Sequence, residues 1–144
     1  MNTLESSLLF LLQSAAALQL GIAVMNLFLV RLLRWQEEVA RMPLLVREVF
    51  QVHAWFISIT LGIFAAMTWR FAGEMAAGTN LVCRWLAGGI GLFWGIRAVL
   101  QATYYSSSHW RGQRGRTVAH AGLLIVYGGF AAVYLWAGLP AILH

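Results

Sequence analysis

The stretch LLFLLQSAAALQLGIAVMNLFLV, Leu8 to Val30, runs without a charged side chain from Glu5 to Arg31. At a rise of about 1.5 Å per residue, about 20 apolar residues cross a hydrocarbon layer about 30 Å thick. This segment is therefore long enough to span a membrane as a helix. Its flank lacks a positive n-region and its apolar run is too long for a signal peptide, so a retained span is expected. Three further stretches of this kind follow: Val49–Trp69, Trp85–Tyr105 and Val118–Trp136. The links between them, Arg31–Glu48, Arg70–Arg84 and Ser106–Thr117, are short. Short links make successive helices antiparallel neighbours. The expected fold is an all-α, up-down-up-down four-helix integral membrane bundle, one transmembrane domain over residues 1–144.

Composition agrees. The chain is 60% hydrophobic and only 10% charged, with a mean hydropathy of +0.72. A soluble domain carries about 25% charged residues, so too little polar surface is left to coat a water-soluble particle. The net charge of +5 comes from ten arginines against five glutamates. All of those arginines but Arg97 sit in links rather than along a stripe, which argues against nucleic acid as a partner. Cys83 is the lone cysteine. That excludes an internal disulfide and a thiolate metal cluster, and leaves it the role of a small packing residue.

Arginine placement sets the expected topology. Arg31, Arg34, Arg41 and Arg47 lie in link one, and Arg111, Arg114 and Arg116 in link three; link two holds only Arg70 and Arg84, at its edges. The positive-inside bias then puts links one and three in the cytoplasm and both termini outside, in a bacterial inner membrane. Trp35, Trp55, Tyr104, Tyr105 and Trp110 are the inner interfacial anchors, and Trp69, Trp85, Tyr134 and Trp136 the outer ones. Pro43 can open a helical turn, Thr79 or Asn80 can cap helix three, Thr117 can cap helix four, and Pro140 can end it. The run from Trp35 to Arg41 is expected to prolong helix one, with Glu37 and Arg41 as an i,i+4 pair.

Four polar residues on four spans then fall at one depth. Asn26 and Gln101 lie about 8 Å inside the inner border, His53 about 9 Å and His120 about 6 Å. Polar groups in a bilayer are costly, so such a layer faces a bundle interior and marks a candidate site. Helical spacing aligns Ala15, Gln19, Ala23 and Asn26 on helix one, and His53, Thr60 and Met67 on helix two. It aligns Trp94, Arg97, Gln101 and Tyr104 or Tyr105 on helix three, and His120, Tyr127 and Tyr134 on helix four. Arg97 is deeper, about 13 Å inside, and leans towards the membrane centre. It needs a partner, for which Gln101, Glu48 at the mouth of helix two or an anionic ligand are candidates. Gly91 and Gly95 form a Gly-x-x-x-Gly step suited to close helix packing.

The candidate pocket comprises Asn26, His53, Arg97, Gln101 and His120, with Glu48 and Tyr104 at its mouth. It fits best a ligand- or lipid-binding protein, or an accessory subunit of a membrane complex. Membrane lipids, other membrane subunits or a second copy are the expected partners, and the arginines favour an anionic group. The alternative is a b-type haem electron-transfer protein with His53 and His120 as the metal's axial ligands, Arg111, Arg114 and Arg116 meeting the propionates. It resembles membrane cytochrome b cores in architecture only: those cores place two histidines on each of two helices, where this chain has one on each. An enzyme using histidine, Glu48 and Tyr104 as acid–base groups lacks any nucleophile–base spacing. Val52-His53, Phe56-Ile57, Phe93-Trp94-Gly95-Ile96-Arg97 and Gln101-Ala102-Thr103-Tyr104-Tyr105 together resemble a pattern in small bacterial four-helix membrane proteins. That resemblance implies the fold and no activity.

Overall fold

The computed structural model describes residues 2–104 and 114–139, and their regular structure is helical throughout. The helices are α1 (Thr3–Leu27), α2 (Leu29–Leu32), α3 (Gln36–Ala40), α4 (Leu44–Ala77), α5 (Leu81–Thr103) and α6 (Arg114–Gly138). Four of them, α1, α4, α5 and the His120–Gly138 part of α6, are long and apolar enough to cross a membrane. The chain is thus a multi-pass membrane protein by length and composition. It divides into two compact units, one of Met1–Leu12 with Phe71–His144 and one of Gln13–Arg70.

In the first unit, α1 opens with a reciprocal cap. The Glu5 amide donates to Asn2 Oδ1 at 2.9 Å, and the Asn2 amide donates to Glu5 Oε2 at 3.0 Å. Two otherwise orphaned donors are satisfied at once. The turn between α4 and α5 is equally well tied. Gly78 adopts φ +64°, the left-handed conformation that ends a helix and that glycine enters without a Cβ penalty. Asn80 then caps α5, its side-chain oxygen accepting from the Val82 amide at 2.9 Å and the Cys83 amide at 3.4 Å. Its amide group donates to Glu74 Oε2 at 3.0 Å.

Helices α5 and α6 pack antiparallel, and glycine lets them touch. A Cβ on Gly138 would lie 2.7 Å from the Gly88 nitrogen, 2.8 Å from its Cα and 3.1 Å from the Arg84 carbonyl oxygen. A Cβ on Gly91 would lie 2.8 Å from the Leu135 nitrogen, and one on Gly95 4.0 Å from the Ala131 Cβ. Below this seam Trp94 is clamped between Phe130 and Tyr127, at ring-centroid distances of 4.7 and 5.1 Å. The contact is closest at the α5 N-terminus and opens towards its C-terminus, where larger side chains take over.

In the second unit the small-polar stripe of α1 faces inward, with Ala15, Gln19 and Ala23 buried and Asn26 half-buried. Helix α4 buries a different face from the one expected. Ser58, Leu61, Ala65 and Thr68 are buried, whereas His53 is exposed and Thr60 and Met67 are intermediate. Thr60 Oγ1 donates to the Phe56 carbonyl of its own helix at 2.9 Å. Its polarity is therefore satisfied locally and does not require an inward direction.

Three boundaries also differ from expectation. Helix α4 extends over 34 residues instead of ending at Trp69. Arg70 marks a change of polarity, not of backbone, and the good helix formers after it carry the helix on to Gly78. Link one does not prolong α1. The chain breaks at Arg34, whose φ of +56° is left-handed. The Trp35 amide donates to the Val30 carbonyl at 2.9 Å and the Arg34 amide to the Arg31 carbonyl at 3.2 Å, a Schellman closure with arginine in the usual glycine position. α3 follows, its Arg41 guanidinium 3.8 Å from Glu37 across the expected i,i+4 step. Pro43 immediately precedes α4, as expected, but Thr117 lies inside α6, which starts at Arg114. Tyr105, Trp110, Arg111 and Pro140, and the side chains of Arg114 and Arg116, lie outside the described residues.

Candidate functional site

The polar residues singled out by depth fall into two groups, one in each unit. In the second unit Asn26 anchors the C-terminal end of α1 to α4. Its amide nitrogen donates to the Ala54 carbonyl and to Ser58 Oγ, both at 2.9 Å. Ser58 Oγ itself donates to the Ala54 carbonyl at 2.9 Å. Both amide hydrogens of Asn26 are thereby spent, and what it retains for another group is its carbonyl oxygen.

Beside this node lies a cleft of about 410 Å³. Asn26, Arg31, Gln36 and Gln51 supply its polar lining, and Val30, Val39, Phe50 and Ala54 are among its apolar walls. The break in link one creates it, because α2 and α3 fold back where a continuous helix would have projected away. The volume lies within the range of ligand sites, about 300–1,000 Å³. Gln36, Gln51 and Ser58 carried no weight in the sequence. Ser58 was detectable in principle, since it heads the small-residue heptad Ser58, Ala65, Ala72 on α4.

In the first unit Gln101 and His120 form the second group. Gln101 Nε2 donates to His120 Nδ1 at 2.9 Å. Gln101 is buried, and its Oε1 is enclosed without a hydrogen-bond partner. One turn earlier, Arg97 lays its guanidinium over the Tyr127 ring, 5.0 Å from the centroid. The ring's negative face compensates part of the charge at membrane depth. Gln101, a candidate partner for Arg97, thus bonds across to α6, and an aromatic ring of α6 receives the arginine. A double-mutant cycle on Gln101→Leu and His120→Leu is expected to give a coupling of about 0.6 kcal/mol, with about 1.7 kcal/mol as the upper bound for such intramembrane bonds. Steric trapping in bicelles measures it, and additive effects would remove this bond from the stabilising set.

His53, Glu48 and Tyr104 are exposed, and none of them lines the cleft. Among the described residues, no three metal-capable side chains gather. At the other end of α5, Cys83 is buried with its Sγ 3.4 Å from Glu74 Oε2, a packed thiol donating to a carboxylate. Arg84 next to it has Nε and Nη2 enclosed without hydrogen-bond partners. No family model, no curated protein and no solved structure matches the chain.

Proposed function

We propose that this is a ligand-binding multi-pass protein of a bacterial cytoplasmic membrane, with both termini outside. Its site is the cleft between the inner end of α1, the folded-back α2–α3 segment and the start of α4. The ligand is an amphiphile whose polar head meets Asn26, Arg31, Gln36 and Gln51 while its apolar part runs along Val39 and Phe50. The observation that carries this reading is the cleft itself: about 410 Å³, lined by both polar and apolar side chains, at the end of a membrane span. Such mixed lining with a few convergent polar groups is what small-molecule sites have in common.

Filling the cleft tests it. Ala54→Phe places a ring in the cavity and keeps the backbone carbonyl that Asn26 uses. Mass spectrometry of the protein purified in mild detergent is expected to find a copurifying amphiphile in the wild type and none in Ala54→Phe, at unchanged helicity and melting temperature. Equal retention by both proteins overturns the reading. One observation weighs against the haem alternative: Gln101 Nε2 donates to His120 Nδ1, and an imidazole whose Nδ1 accepts holds its proton on Nε2, where an axial ligand needs a lone pair. A Soret band in the wild type that vanishes in His120→Ala would replace the amphiphile with haem.

A further inference from the structure

We infer that the amphiphile is an anionic glycerophospholipid whose phosphate sits on Arg31; this rests on the cleft-binding reading above. Among the described residues, Arg31 is the only charged side chain lining the cleft, and no carboxylate lines it. Among the described residues Arg31 is exposed and has no ion pair. The carboxylate of Glu37, which faces Arg41 at 3.8 Å, is already matched to another cation. A guanidinium presents a planar fork of donors that fits phosphate oxygens.

The remaining lining discriminates further. Asn26 has spent both amide hydrogens on α4, so it offers an acceptor. Gln36 and Gln51 offer both donors and acceptors. That set suits a phosphodiester carrying hydroxyls, as in a glycerol headgroup, whereas a quaternary ammonium would bring a second cation to Arg31. Inorganic phosphate would meet Arg31 but leave Val30, Val39 and Phe50 uncovered. An uncharged lipid would cover those walls and leave Arg31 without a counter-charge. Trp55 lies at the same cleft and suits the headgroup level, where indole rings concentrate.

One juxtamembrane arginine adds about 1 kcal/mol of attraction to an anionic lipid, which is about fivefold in affinity. The test is native mass spectrometry of the full chain after exchange into mixed phosphatidylglycerol and phosphatidylcholine bilayers. The wild type is expected to retain phosphatidylglycerol about fivefold over phosphatidylcholine. Arg31→Gln is expected to abolish that preference by lowering the phosphatidylglycerol retained to the level of phosphatidylcholine, and Arg70→Gln, outside the cleft, to preserve it. Equal retention of the two lipids, blocked by Ala54→Phe, overturns the anionic assignment and leaves the cleft reading standing. A preference unchanged in Arg31→Gln also overturns it. Retention of neither lipid overturns both. Displacement of the lipid by millimolar inorganic phosphate assigns the site to the free anion and overturns the lipid.

Discussion

Gly138→Ala is expected to cost about 1–3 kcal/mol of stability, the range for overpacking a closed contact. The added methyl would meet three backbone atoms, Gly88 N at 2.7 Å, Gly88 Cα at 2.8 Å and the Arg84 oxygen at 3.1 Å. No side chain can rotate out of the way, so α5 and α6 must move apart. Separation also weakens the seam at Gly91, where a Cβ would already lie 2.8 Å from the Leu135 nitrogen. Gly91→Ala is therefore expected to act in the same direction, eased slightly because part of its clash is with the movable Leu135 side chain. Gly89→Ala and Gly128→Ala are the controls: nothing lies within 4 Å of a Cβ at either position. Alanine's helix propensity should leave them unchanged or slightly more stable. Melting in detergent, followed by circular dichroism, decides it; loss of stability in Gly128→Ala equal to that in Gly138→Ala would show that the seam is not the cause.

Trp94→Ala is expected to be the most damaging single truncation, at about 3–5 kcal/mol. Trp94 is 2% exposed and touches Tyr127 and Phe130 face to face or tilted, with Phe93 edge-on at a centroid distance of 5.5 Å. Its removal leaves a void between two helices that cannot collapse far, because the glycine seam fixes their spacing. It also frees the Tyr127 ring, which holds the Arg97 guanidinium at 5.0 Å. Trp94→Phe should recover more than half of the loss. Near-ultraviolet circular dichroism reports the ring packing, and a chain that melts within a degree of wild type after Trp94→Ala would contradict this account.

The four long helices were legible because hydrophobic runs of span length leave few alternatives in a chain this apolar. The α5 start was legible too, since asparagine before an apolar run is a cap by its hydrogen-bonding chemistry. The α4 boundaries were not, because hydropathy marks where polarity changes and the backbone ignores that change until Gly78. The buried face of α4 was misread for a related reason. Polarity alone does not mark the inward side: Thr60 satisfies itself on its own helix, and the buried face mixes small residues such as Ser58, Ala65 and Ala72 with Leu61 and Met75. The break at Arg34 had no signal: a helix that closes on glycine announces itself, and one that closes on arginine does not.

The candidate site was half legible. Depth matching singled out Gln101 and His120, which bond to each other, and Asn26, which bonds to α4. The cleft escaped notice because it exists only when link one folds back, and that fold depends on the unsignalled break. Arg97 stood out as a charge at membrane depth, but its aromatic partner was assigned to packing.

The 34 residues of α4 have a further consequence. At about 1.5 Å per residue this rod is about 51 Å long, against a hydrocarbon thickness of about 30 Å. α5, with 23 residues, reaches only about 35 Å. Hydrophobic mismatch acts first on the shortest apolar span, the 19 residues His120–Gly138 of α6, whereas the excess length of α4 lies beyond its charged flanks, Glu48 and Arg70. Sorting of this protein between membranes of different thickness should accordingly follow the length of the α6 span, and insertion of one helical turn there would shift its preference towards the thicker one.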